Sequence, residues 1–196
     1  MSFLKKAILA SSLLLAAAFP FGAQYVDLHY FETYLQYAPS VVDLGLGLLG
    51  VDSKNDFLDR GISIGLSYAV SLAVVKSMKF VIDETRPDGS SDNSFPSGHT
   101  ATAFMGAELI REHYGWGWGA GAYAAATTVG VMRAVRHRHY WWDVLAGAGI
   151  GVASARAGLW LAGPVREWID PNRRMKLSSY IEPQTGAFCA AMTYTF

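Results

Sequence analysis

Three short stretches hold the side chains best suited to chemistry. Lys79 is followed after six intervening residues by Arg86-Pro87; Pro96-Ser97-Gly98-His99 comes next; Arg133 then precedes His139 by five intervening residues and Asp143 by three more. His139 and Asp143 are four apart, so on a helix they share a face. A carboxylate there accepts the Nδ1 proton of the imidazole, fixes its tautomer and leaves Nε2 free to attack. Pro96 to His99 falls where a loop turns into a helix. Ser97 is suited to cap that helix, Gly98 allows close backbone approach, and the free N–H groups at a helix start bind phosphate oxygens. His99 would supply the proton that a departing alkoxide needs. Lys79, Arg86 and Arg133 belong to separate segments, and singly each reads as a solvated charge. Brought to one point they would neutralise the equatorial oxygens of a transferring phosphoryl group, a task suited to guanidinium forks.

Taken together and in order, the three stretches resemble the signature motifs of the type 2 phosphatidic acid phosphatase family. That family includes bacterial class A acid phosphatases and is related to vanadium haloperoxidases. The motifs lie between Lys79 and Asp143, and the helical setting fits from about Asp56 to Leu161. The resemblance implies that His139 is a nucleophile forming a phosphohistidine, with Asp143 orienting it. It also implies that His99 protonates the leaving group and later activates water. Lys79, Arg86, Arg133, Ser97 and the Gly98 backbone would hold the phosphate, with no metal and no cofactor. One position departs from the pattern: Met132 stands before Arg133, where the family usually has Ser, so a hydroxyl contact is lost. His137 and His139 form a His-x-His pair, but on a helix they point to different faces, and no further ligand cluster accompanies them. His137 reads as a helix-end or loop residue, and so does His113.

Small membrane-associated bacterial members of this family act on lipid A phosphates, undecaprenyl diphosphate or phosphatidate-type lipids. The runs Ser94 to Glu108 and Trp142 to Ala155 resemble such members. The expected partners are therefore a phosphorylated lipid and a membrane. A soluble periplasmic acid phosphatase of broad specificity would share every catalytic residue and differ in apolar content. A vanadate-dependent haloperoxidase would use the same anion pocket but needs more helices than this chain has room for. A non-enzymatic descendant has only Met132 in its favour.

The elements that must position these residues follow from composition and pattern. Apolar residues make up 52% and charged residues 16% of the 196 residues, against roughly 25% charged in an average soluble domain. So few charges solvate a large surface poorly, which favours membrane association. The formal net charge is zero, which excludes the basic footprint of a nucleic-acid binder. A single cysteine, Cys189, excludes an internal disulfide and reads as a small buried apolar residue. Lys5 and Lys6 before the apolar run Ala7 to Ala18 predict an export signal over residues 1–23, with cleavage after Ala23 or Ala18. The run is shorter than the roughly 20 residues of a spanning helix. A phosphatase domain over 24–170 and a tail over 171–196 follow, with the active site facing the periplasm.

Tyr34 to Leu49, with Leu and Val spaced helically but broken by Pro39, Gly45, Gly47 and Gly50, reads as a short amphipathic or interfacial segment. Helices are expected over Asp56–Ile82, Ser97–His113, Ala120–Val135 and Tyr140–Leu161, with a polar loop at Asp83–Phe95 and a Trp-Gly turn at Gly115–Gly119. Trp141 and Trp142 read as packing or interface residues. Arg156 interrupts the last helical run. Met175–Ile181 and Ala187–Phe196 read as two strands joined by Pro183-Gln184-Thr185-Gly186. The expected fold is an all-α helical bundle of the acid phosphatase–haloperoxidase type, with about five to six helices and a short C-terminal β-hairpin.

Overall fold

The computed structural model describes residues 33–172, 174–182, 185 and 187–195. The export signal expected over residues 1–23 lies outside them. After a helical turn at 33–35 come five helices: α1 (Ala38–Leu48), α2 (Phe57–Val81), α3 (Gly98–Tyr114), α4 (Trp116–Val135) and α5 (Trp141–Ile169). Strands β1 (Met175–Ile181) and β2 (Phe188–Tyr194) then pair antiparallel, from Met175 opposite Tyr194 to Ile181 opposite Phe188. The expected all-α bundle with a C-terminal hairpin is therefore the fold observed.

Helix α3 is the central element and touches each of the other four helices. It can be surrounded because its side chains are small: Ala101, Ala103, Ala107 and Gly106 leave room for neighbours on several sides, while Met105, Leu109 and Ile110 fill the gaps between them. Helix α5 approaches closest. A methyl group placed on Gly147 would lie 2.5 Å from the Ser97 carbonyl oxygen, and one on Gly151 would collide with the Ala101 carbonyl oxygen. Both obstacles are backbone, which cannot swing aside. Gly151→Ala is therefore expected to destabilise the fold by about 1–3 kcal/mol. Gly149→Ala, where the added methyl meets nothing within 4 Å, should be neutral or stabilising, because alanine is the better helix former. Denaturant unfolding of the two variants in detergent checks this; equal midpoints would refute the close packing.

Helix α1 falls on the amphipathic side of the two readings of its segment, packed into the bundle by one face. Ala38, Pro39, Val42, Asp43 and Leu46 are all buried. Pro39 sits in the first turn, where a missing N–H costs nothing. Helix α4 starts at Trp116, four residues earlier than expected, so only Gly115 remains of the Trp-Gly turn. Helix α5 runs through Arg156 without interruption, since that side chain pairs with Glu108 at 2.6 Å and Glu112 at 2.8 Å. His113 lies in the last turn of α3, the helix-end residue expected. It is fully buried, with Nδ1 2.7 Å from Asp43 Oδ2 and Nε2 3.3 Å from Ser63 Oγ. These contacts tie α1, α2 and α3 together. Cys189 is half-buried, more open than its composition suggested.

The outer faces of α2 and α5 are apolar. Both helices are long and apolar enough to cross a membrane, with only 28% and 33% of their most apolar windows buried within the protein. Exposed Phe80, Val81, Trp141, Trp142 and Leu145 cluster where α2 ends and α5 begins, while Trp160 and Trp168 stand exposed further along α5. Patches of this kind suit a lipid surface, with tryptophan at its edges.

Candidate active site

The end of α2, the start of α3, the end of α4 and the start of α5 lie at one end of the bundle, and every motif residue is there. Lys79 sits in the last turn of α2, Gly98 and His99 open α3, Arg133 closes α4, and Asp143 lies in the first turn of α5. His139 comes just before α5. The chain returns sharply after α4: the N–H groups of Arg138 and His139 both donate to the Arg133 carbonyl, at 3.1 and 3.3 Å. His137 takes a positive φ of 54° inside that turn, as a loop residue. The turn sets His139 beside Arg133, and both are buried at 3% exposure.

Asp143 stands behind the imidazole, its Oδ2 3.4 Å from His139 Nδ1. The same oxygen accepts the Tyr140 N–H at 2.9 Å and the Ser94 hydroxyl at 2.5 Å. This carboxylate thus caps α5 from inside while facing His139. Ser94 was not among the residues expected at the site. It lies two positions before Pro96, and only its contact with Asp143 across the fold reveals it.

The loop between α2 and α3 is polar, as expected, but it is folded tightly on itself. The Arg86 N–H donates to the Ser91 carbonyl, the Ser94 N–H to the Glu84 carbonyl, and the Thr85 hydroxyl to Asp92 Oδ1. The Arg86 guanidinium donates to Asn93 Oδ1 at 3.0 Å, and Lys79 Nζ donates to the Asn93 carbonyl at 2.5 Å. Both cations are thereby fixed before any anion arrives, so their ordering entropy is already spent. Arg86 Nε is buried without a hydrogen-bond partner among the described residues. Ser97 does not cap α3 through its side chain; its hydroxyl pairs with Thr100 Oγ1 at 2.9 Å. The Ser97 N–H donates to the Asp143 carbonyl at 3.1 Å, which joins the second motif to the third.

Burial, with the nearby charges of Arg133 and Lys79, pushes the His139 imidazole down to about 4, against the pull of Asp143 and with a smaller push from Arg86. His139 is therefore neutral at pH 7, the form in which Nε2 carries a lone pair. A cavity of about 540 Å³ reaches the site through Lys79, Gly98 and His99, while His139, Arg133 and Arg86 are not among the residues that line it. Lys79, Gly98 and His99 line its polar end, and Tyr37, Tyr68, Leu72 and Val75 line an apolar stretch along α2. A neutral imidazole among fixed cations, with a second imidazole at a neighbouring cavity wall, is an arrangement suited to binding an anion. Among the described residues no group of three or more His, Cys, Asp or Glu side chains is placed to hold a metal. Met132 occupies the position before Arg133 on α4.

Comparisons with known proteins agree with this geometry. A model of the PAP2 superfamily matches residues 60–166. A Lipid A 1-phosphatase of Porphyromonas gingivalis is 38% identical over 105 residues, covering 52% of this chain. The chain spans only 23% of that relative's length. Among solved structures, Aquifex aeolicus LpxE superposes with a TM-score of 0.54 at 23% identity, over 79% of this chain and 94% of that one. A transmembrane PAP2 type phosphatidylglycerolphosphate phosphatase from Bacillus subtilis gives a TM-score of 0.50 at 22% identity, over 87% and 96%. At these identities the two structures speak to the fold alone.

Proposed function

The chain belongs to the PAP2 superfamily, and on that premise we propose that it is a metal-independent lipid phosphatase working through a phosphohistidine on His139. The observation that carries this reading is the convergence of three separate sequence stretches at one end of the bundle. There they surround a buried, neutral His139 with Arg133, Lys79 and Arg86. The phosphate oxygens are held by these cations and by the N–H groups that open α3 at Gly98. His139 Nε2 attacks phosphorus, forming the P–N bond as the P–O bond to the leaving group breaks. His99 gives its proton to the departing oxygen. Water then attacks the phosphohistidine while His99 takes the water's proton, and inorganic phosphate leaves with His139 restored. Asp143 holds the Nδ1 side of the ring throughout and steadies the charge that develops on it.

A lipid substrate is supported by the apolar outer faces of α2 and α5, by the exposed aromatics at the site end, and by the apolar wall of the cavity. Lipid A bearing a 1-phosphate is the preferred substrate in this reading, because the Porphyromonas gingivalis relative carries that name. Undecaprenyl diphosphate and phosphatidate are the nearest competitors. The site end is assigned to the periplasmic surface, at headgroup level.

Phosphate release by the purified protein in detergent with EDTA tests the reading. The panel is lipid A, undecaprenyl diphosphate, phosphatidate and a soluble aryl phosphate, with His139→Ala as the blank. Release from lipid A above the others is expected. Equal turnover of the soluble ester would point to a broad acid phosphatase, and loss of activity in EDTA would overturn the metal-free mechanism.

A further inference from the structure

Glu84 lies outside the motif residues, yet its carboxyl is built into the same end of the bundle. Its Oε1 accepts the Trp142 indole N–H at 2.9 Å, and its carbonyl accepts the Ser94 N–H at 2.8 Å. Trp142 is itself stacked on Tyr140, with ring centroids 4.4 Å apart and planes 8° from parallel. Ser94 joins the two acidic residues, its N–H donating to the Glu84 carbonyl and its hydroxyl to Asp143 Oδ2 at 2.5 Å. Asp143 Oδ2 already accepts the Ser94 hydroxyl and the Tyr140 N–H, and it stands 3.4 Å from His139 Nδ1, which makes no hydrogen bond among the described residues. That leaves Asp143 Oδ1, which is buried and has no hydrogen-bond partner among the described residues. Glu84 Oε2 is in the same position.

Two ionised carboxylates in such proximity repel, whereas one shared proton turns the repulsion into a hydrogen bond. Burial pushes the Glu84 carboxyl up; Asp143 adds to that push and the Trp142 indole opposes it. Glu84 is thus the carboxyl of the two whose hold on a proton is strengthened. The other charged or titratable groups facing the pair are His139, Arg133, Lys79 and Arg86.

We propose that Glu84 is a positioning residue for the His139–Asp143 pair. As a carboxylic acid it accepts the Trp142 indole N–H on Oε1, donates from Oε2 to Asp143 Oδ1, and holds Asp143 against His139. The assignment deepens the reading of His139 as nucleophile and rests on it. When pH rises through the ionisation of Glu84, the donor is lost and Asp143 faces a second negative charge. Its grip on the imidazole then loosens.

The test uses Glu84→Gln and Glu84→Ala in the full chain. Glutamine keeps a carbonyl for the indole and an N–H for Asp143, whatever the pH. In Glu84→Ala, kcat is expected to fall about 10- to 100-fold, the usual cost of removing a partner that orients a reacting group, with KM little changed. Glu84→Gln is expected to restore most of that loss and to lack an alkaline limb of kcat that the wild type shows. Wild-type kinetics in Glu84→Ala at every pH, or the same alkaline limb in Glu84→Gln, would overturn the proposal. Infrared difference spectra of wild type against Glu84→Gln give a readout without turnover. A protonated-carboxyl band at neutral pH that fades as pH rises is expected, and its absence would overturn the assignment. A wild-type protein inactive on every phosphate ester would sink the phosphatase reading, and the infrared band would still decide the protonation of Glu84.

Discussion

His139→Ala is expected to lower kcat by about 10⁴-fold or more with the fold intact, because it removes the atom proposed to form the covalent intermediate. The side chain is buried and makes few directional contacts: its 3.4 Å approach to Asp143 Oδ2 is the main one. Unfolding of the variant should therefore change far less than its activity. Label from a ³²P-phosphorylated substrate should be trapped on the wild type in a form stable to base and lost in acid, and should be absent from the variant. Comparable labelling of His139→Ala would move the nucleophile elsewhere. The state of the ring gives a second check. Since burial with Arg133 and Lys79 pushes the imidazole down to about 4, the free enzyme keeps its nucleophile well below the ordinary histidine value of about 6.5. The acid limb of kcat/KM belonging to His139 should therefore lie near pH 4. The sign for stability follows. The folded state resists protonating this ring, so its contribution is present above about pH 6.5 and is lost as pH falls toward 4.

Much of this site was legible because its chemistry is carried by spacing. Gly98 and His99 open a helix soon after Pro96, as their pattern implied, whereas His139 precedes the N-cap of α5 and reaches Asp143 through the turn after α4 rather than along one helical face. The long helices were legible for a similar reason: their apolar and small residues run unbroken. What could not be read depended on contacts between distant segments. Asp43 meets His113 across 70 residues, so neither residue carries a local sign of the pairing. Glu84 meets Trp142 across 58 residues and looked like one more charge in a polar loop. Helix α1 stayed open between an amphipathic and an interfacial reading because Pro39 and its glycines count locally as breakers. In the fold, Pro39 occupies the first turn, and Gly47 leaves the space that the Arg60 guanidinium takes. Spacing reports which residues of one element share a face. It says nothing of which element will cover that face.

His99→Ala should separate substrates by their leaving groups. A lipid or sugar hydroxyl leaves as a strongly basic alkoxide and needs a proton as the P–O bond breaks, so its turnover is expected to fall by about 10²–10⁴-fold in the variant. A nitrophenyl phosphate releases a weakly basic phenolate that needs no such help. With it the first step should be nearly unaffected, and the loss should appear in hydrolysis of the phosphohistidine, where His99 would take the proton from water. Burst kinetics distinguish the two cases: a full burst followed by slow turnover with the aryl ester, and no burst with the lipid. His99 lines the cavity beside Lys79 and Gly98 and is only half-buried, so its loss should leave the bundle standing. An equal loss on both substrates with no burst on either would assign His99 to phosphate binding, and the proton would have to come from another group at the cavity wall. The burst therefore fixes which step this imidazole serves, a distinction that the fall in overall rate alone would not reveal.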